Sequence, residues 1–217
     1  MSDESGEHWP GEQLVAAEVE VEEEEEEEVE VREDDTGEEP VVAEEPEQLA
    51  GHAPGALDLP DGLDVVEGSP HGTRKRIAIV LSRFNGDVTN RLLESALAEI
   101  ERAGIEREHV TVMPVPGAFE LPLGAMALAK TRRYVAIVAL GCVIRGETAH
   151  FEYVAGEAAS GLQLAALETG VPVAFGVLTT NTLEQAMARA DKGAEAVRTA
   201  LEMADLFNQL RATAKAS

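Results

Sequence analysis

Cysteine occurs once in the 217 residues, at Cys142, so no intrachain disulfide framework is open to this chain. Cys142 lies in an apolar run, where an inert, buried thiol is the expected state. No apolar run approaches the roughly 20 residues that a membrane span requires. The N-terminus has neither a basic start nor an apolar stretch, so a soluble, cytoplasmic protein is expected, with no membrane partner. Neither GxGxxG nor GxxxxGK[ST] follows a strand pattern, which disfavours a nucleotide enzyme. His150 has no spaced His or Cys partner, so no metal is expected. Aromatic residues are only 4% of the chain, which makes one in a polar loop, Phe84, a candidate for stacking on a flat ring. The alternative is a core plug.

An excess of base is missing too. Met1 to Pro70 holds 26 Asp or Glu against the single base Arg32, while His71 to Ser217 has 16 acids and 16 bases. The whole net charge of −25 therefore sits in the first third, and no basic face points to nucleic acid. That third contains "VEVEEEEEEEVEV", whose like charges repel and whose few large apolar side chains cannot offset the entropy of ordering. Residues 1–60 are read as a disordered acidic tail, and residues 61–217 as the folded domain.

What the chain does have, from Arg74 onward, is alternation. "RIAIVLS" (76–82), "VTVMPV" (110–115), "YVAIVALGCVI" (134–144) and "VPVAFGVL" (171–178) read as buried strands. Between them run helical patterns. One has Leu92, Leu93, Ala96, Ile100 and Ala103 on one face and Gly104 as its stop. A second follows Gly117, and a third covers 151–168. Thr182 and Gln185 form a capping box for the next, and "AEAVRTALEMADLFNQL" closes the fold. Such alternation specifies an α/β protein, a three-layer α/β/α, flavodoxin-like fold with a four-stranded parallel sheet and helices on both faces.

Ligands of such sheets bind at the carboxyl ends of the strands. There the chain carries "SRFN", "VPGAFE" and "IRGETAH". His150 falls in a helix first turn, one or two residues past Thr148 as the expected N-cap, where the helix dipole favours a neutral imidazole able to accept a proton. A capping or surface histidine is the competing reading. The helix start offers free N–H groups to an anion, and Arg189 and Lys192, three apart, would share a helical face as its cations. Two solvated surface charges would look the same. Gly117 lets backbone approach a ligand closely, and Glu120 is either an acceptor for hydroxyls or a first-turn acid.

Together, "SRFN", "VPGAFELP", "ALGCVIRGETAHFEYV", "PVAFGVLTTNTLEQA" and "KGAEA" resemble the lumazine synthase family over roughly residues 63–217. The resemblance implies condensation of 5-amino-6-ribitylamino-uracil with 3,4-dihydroxy-2-butanone 4-phosphate, without metal or organic cofactor. By the same resemblance Phe84 matches the aromatic that stacks on the pyrimidine, and Ala118 and Glu120 (beside Gly117) match positions that hold the ribityl chain. Val143 and Ile144 match the backbone that reads the pyrimidine edge, and Glu147 and Thr148 the loop at the phosphate end. His150 matches the proton-transfer residue, Arg189 the phosphate-binding arginine, and Phe175 and Lys192 residues supplied by a neighbouring subunit or the last turn of the site.

Members of the family assemble as pentamers, some closing into icosahedral shells of 60 chains. The segment before the first strand adds to a neighbour's sheet, and "LDVVEG" (63–68) stands in that place. The resemblance does not extend to the acidic tail, which is expected to be either a solubilising leader or a segment acting at the level of the assembly, by limiting shell closure or by attracting basic protein partners through multivalent charge. One departure is evident: family members usually have a longer connection between this arginine and the Lys-Gly of the last helix, where "RADKG" joins them directly. A catalytically weakened, shell-forming scaffold is therefore an alternative to an active enzyme, and a monomeric binding module is a third reading.

Overall fold

Runs of β-branched and aliphatic residues with no charge among them are satisfied between two apolar layers, and the two central strands are placed in that way, while the two outer strands keep part of their side chains exposed. The computed structural model describes residues 57–216. The expected tail lies outside them except for 57–60. The strands are β1 (Ile77–Ser82), β2 (Val110–Val115), β3 (Ala136–Ile144) and β4 (Val173–Thr180), all parallel, in the order β2-β1-β3-β4. The helices are α1 (Gly86–Arg102), α2 (Leu121–Lys130), α3 (His150–Thr169), the short α4 (Leu183–Met187) and α5 (Lys192–Ala216).

The strand period of two divides the core into two layers. Ile77, Ile79 and Leu81 of β1, with Ala136, Val138, Leu140 and Cys142 of β3, pack on Leu92, Ala96 and Ile100 of α1 and Val197, Ala200 and Leu201 of α5. Ala78 and Val80, with Ile137, Ala139 and Val143, turn the other way onto Leu121 and Ala125 of α2 and Ala158 and Leu162 of α3. The three-layer α/β/α architecture is thus as expected from sequence.

Local details differ. β4 begins and ends two residues later than its apolar run, because Thr179 and Thr180 continue the ladder opposite Val143 and Ile144. The segment 118–120 is a single 3-10 turn before α2 rather than its first turn. Arg189 and Lys192 do not share a helix: α4 ends at Met187, residues 188–191 form turns, and Lys192 opens α5. Residues 63–68 carry no regular structure, and Leu63, Val65 and Val66 are exposed.

Candidate active site

Chain direction fixes where a site can form. From β1 the chain moves to one side to make β2, then returns across to make β3 on the other side, so β1 and β3 are neighbours whose following loops diverge. A crevice is left beyond their carboxyl ends. A cavity of about 570 Å³ opens there, lined by Phe84 and Asn85 after β1, Gly117 to Glu120 after β2, Cys142 to Ile144 of β3, and His150, Phe151, Tyr153 and Val154 of α3.

The walls are held by specific bonds. Arg83 N and Phe84 N donate to Val115 O (2.9 Å) and Pro116 O (3.1 Å), fastening the β1 loop to the β2 loop. Asn85 adopts the left-handed conformation (φ 59°), which asparagine tolerates better than most residues. From that position its Nδ2 donates to Cys142 O at 2.9 Å, tying the start of α1 to the end of β3. Glu120 Oε2 accepts from Gly117 N at 2.8 Å, so this carboxylate acts as a first-turn acid while also facing the cavity. Burial pushes the Cys142 thiol up to about 11, so this wall residue is a neutral thiol at physiological pH.

His150 is the first residue of α3. The N-cap is Ala149, not Thr148; the Thr148 hydroxyl accepts from His150 N at a long 3.4 Å. At α4, Thr182 accepts from Gln185 N (3.2 Å) as expected, but the Gln185 side chain accepts from Asn181 N (2.9 Å), one residue earlier than a capping box requires.

Of the residues singled out from sequence, Phe84, Gly117, Ala118, Glu120, Val143, Ile144, Thr148 and His150 converge on this cavity. Phe175, Arg189 and Lys192 do not. They line a second cavity of about 460 Å³ along β4, together with Glu195 and Thr199. Glu147 lines neither. Arg189 Nη1 donates to Gln185 O (3.0 Å), and Lys192 Nζ contacts Glu195 Oε1 at 2.6 Å, so the second cavity carries two cations and one anion. Phe175 is half-exposed on β4, the outer strand.

Sequence reasoning passed over Asn85, Phe119, Phe151 and Tyr153, which also line the first cavity. The Asn-Gly dipeptide at 85–86 was the available signal for the first of these. The others stand beside residues already singled out.

The family described as 6,7-dimethyl-8-ribityllumazine synthase matches residues 74–208 of this chain. The chain belongs to that family. Relatives named 6,7-dimethyl-8-ribityllumazine synthase from Yersinia pestis (strain Pestoides F) and Yersinia pseudotuberculosis (serotype O:1b, strain IP 31758) are 50% identical over 155 residues, covering 69% of this chain and 99% of each relative. What sets this lumazine synthase family member apart from those relatives in length is thus the part of the chain outside the aligned 155 residues. Among the described residues, no helix is long and apolar enough to cross a membrane.

Proposed function

We propose that this chain is a 6,7-dimethyl-8-ribityllumazine synthase acting in riboflavin biosynthesis. The observation that carries the reading is the convergence of eight singled-out residues on the crevice between β1 and β3, in a chain of this family. In the reaction the 5-amino group of the ribitylaminouracil attacks the ketone and water leaves, giving a Schiff base. Inorganic phosphate is then eliminated as its C–O bond breaks and the neighbouring hydroxyl-bearing carbon loses a proton; the enol so formed tautomerises to a new carbonyl, on which the ribitylamino nitrogen closes the ring with loss of a second water.

Within the first cavity Phe84 offers its ring face to the pyrimidine. Ala118 and Glu120 take the ribityl hydroxyls, and the backbone of Val143 and Ile144 reads the ring edge. His150 moves the proton that accompanies phosphate loss. Arg189, with Lys192, neutralises the phosphate. Because those two residues and Phe175 line a different cavity of the same chain, the complete site needs the β4 face of a neighbouring subunit. A pentamer is the smallest assembly this reading uses, and an icosahedral 60-mer is its extension. Glu147 and Thr148 lie on the loop that would meet that neighbour. Bringing two substrates into register supplies much of the rate in its own right.

The test is to incubate the cytoplasmic protein with both substrates, follow lumazine absorbance, and compare His150→Ala and Arg189→Ala. Parent activity, with Arg189→Ala losing about a hundred-fold or more and His150→Ala less, is the expected result. An intact assembly that makes no product refutes the reading and favours the scaffold alternative, for which the direct "RADKG" link is the supporting observation. The folded domain is taken to begin near residue 61, with the acidic segment before it recruiting basic proteins through multivalent charge. Deleting residues 1–60 should abolish such recruitment, and unchanged bound proteins across salt concentrations would contradict it.

A further inference from the structure

We propose that Arg145 is a positioning residue for this reaction: its guanidinium fastens the loop presenting Thr148 and His150 to the end of β4 and the first turn of α3. The inference rests on the function proposed above and extends it to a residue outside the set drawn from the resemblance.

Arg145 is the first residue beyond β3. Its backbone N donates to Thr180 O at 2.9 Å, carrying the β3–β4 ladder one step further. From there the side chain makes three contacts at once. Nε donates to Asn181 Oδ1 (3.2 Å), Nη1 meets Glu152 Oε1 (3.3 Å), and the guanidinium carbon stands 4.6 Å from the centre of the Phe151 ring. Asn181 is itself anchored, since its N donates to Gln185 Oε1 at 2.9 Å on α4.

The loop has little else to hold it. Gly146, Glu147 and Thr148 are exposed. Its other hydrogen bonds, His150 N to Thr148 Oγ1 and Glu152 N to Ala149 O, are internal to the loop and helix start. Phe151 and His150 both line the cavity. Clamping Glu152 and Phe151 therefore fixes the turn of α3 from which the imidazole is presented.

So exposed an ion pair, with side chains 46% and 64% accessible, contributes little to global stability. The arrangement does, however, place three partners around one planar, forked group. A lysine could keep the Glu152 contact but could not also bond Asn181 and lie flat on Phe151. Misplacement of a catalytic group by about 1 Å can lower a rate as much as a hundred-fold without unfolding anything.

The experiment uses the full chain and compares the parent with Arg145→Lys, Arg145→Ala, Asn181→Ala and the Arg145→Ala/Asn181→Ala double variant. It measures kcat, KM for each substrate, thermal midpoint, particle size, and hydrogen exchange of the peptide spanning 146–150. The expected result is a fall of about ten-fold or more in kcat for both Arg145 variants, with KM, midpoint and particle size close to the parent. Asn181→Ala should fall less and add nothing further in the double variant. Amides of 146–150 should exchange faster in Arg145→Ala, while those of β3 are unchanged. A lysine variant with parental kcat, or an activity loss that tracks the thermal midpoint, overturns the proposal. If the parent itself makes no product, the proposed function fails separately. Exchange then decides: unchanged protection of 146–150 in Arg145→Ala overturns the positioning role, and faster exchange upholds the clamp.

Discussion

Replacing Gly193 by alanine should loosen the junction of α1 and α5 and disturb the phosphate end of the proposed site together. A Cβ at this position would stand 2.1 Å from Leu92 O and 2.5 Å from Ser95 Oγ. The first of these atoms is backbone within α1, and the second is held by bonds to Leu92 O (3.0 Å) and Ala190 O (2.8 Å). Neither can swing aside. Restoring an ordinary contact needs a shift of roughly 1 Å, which opens the layer where Leu92 and Ala96 meet Val197, Ala200 and Leu201.

Overpacking of this kind costs about 1–3 kcal/mol, and the better helix propensity of alanine returns up to about 1 kcal/mol. The upper part of the range applies because backbone is struck, leaving a net loss of about 2 kcal/mol. For a chain of this size that lowers the thermal midpoint by about 4–8 °C. Lys192 is the adjacent residue, so KM for the phosphate-bearing substrate should rise several-fold while KM for the uracil changes little. The control is Gly156→Ala in α3, where nothing lies within 4 Å of the new Cβ. That change should stabilise by about 0.5–1 kcal/mol. Differential scanning calorimetry of both variants decides the matter. A Gly193→Ala midpoint equal to the parent would refute the packing argument.

Two further outcomes are expected. Glu99 is buried and accepts from Arg198 Nη1 at 3.0 Å and from Arg102, so Glu99→Ala should cost about 1–3 kcal/mol in urea unfolding, below a fully buried pair because both arginines reach solvent. An unchanged urea midpoint would show the cluster to be ornamental. Burial raises the Cys142 thiol from 9.0 to about 11, so its contribution to stability is fully present below pH 9 and is lost as pH rises towards 11, where the unfolded chain releases a proton that the folded chain retains. Cys142→Ala should therefore show a shallower alkaline decline in urea midpoint than the parent, and iodoacetamide at pH 8 should modify the folded parent far more slowly than the unfolded chain. Superimposable pH curves would contradict the assignment.

The strands were legible because a run such as Ile77–Ser82 has no polar face to leave in water, and every residue of it is in fact buried. Their limits were less so. Thr179 and Thr180 fall outside the apolar run 171–178, but β3 extends to Ile144 and offers them hydrogen-bond partners, so pairing overrides composition. The same competition explains α4. Helical spacing alone would carry the chain from Leu183 through Lys192, but Ala190 O accepts from Ser95 Oγ, and Gly193 seats α5 against α1, so the chain must turn between Met187 and Lys192. Arg189 and Lys192 still line one cavity, brought together by that turn rather than by a shared helical face.

The site was legible where chemistry and strand ends coincide. "VPGAFE" and "IRGETAH" follow strands whose carboxyl ends share one edge of the sheet, so most residues named from them converge there. Periodicity cannot reveal a residue whose work is done by backbone conformation, and Asn85 is of that kind. Its left-handed φ and its bond to Cys142 O exist only once β1 and β3 are neighbours. Arg145 is another, since its three partners come from β4's end and two successive positions of α3. The residues that contact substrate in the proposed reaction are therefore announced by local sequence. Those that hold them in place become visible only when elements distant in the chain are set side by side. A kinetic survey restricted to the sequence motifs would attribute the whole rate to His150 and its neighbours, and would miss the dependence on Arg145 and Asn181 that the double-variant comparison is built to measure.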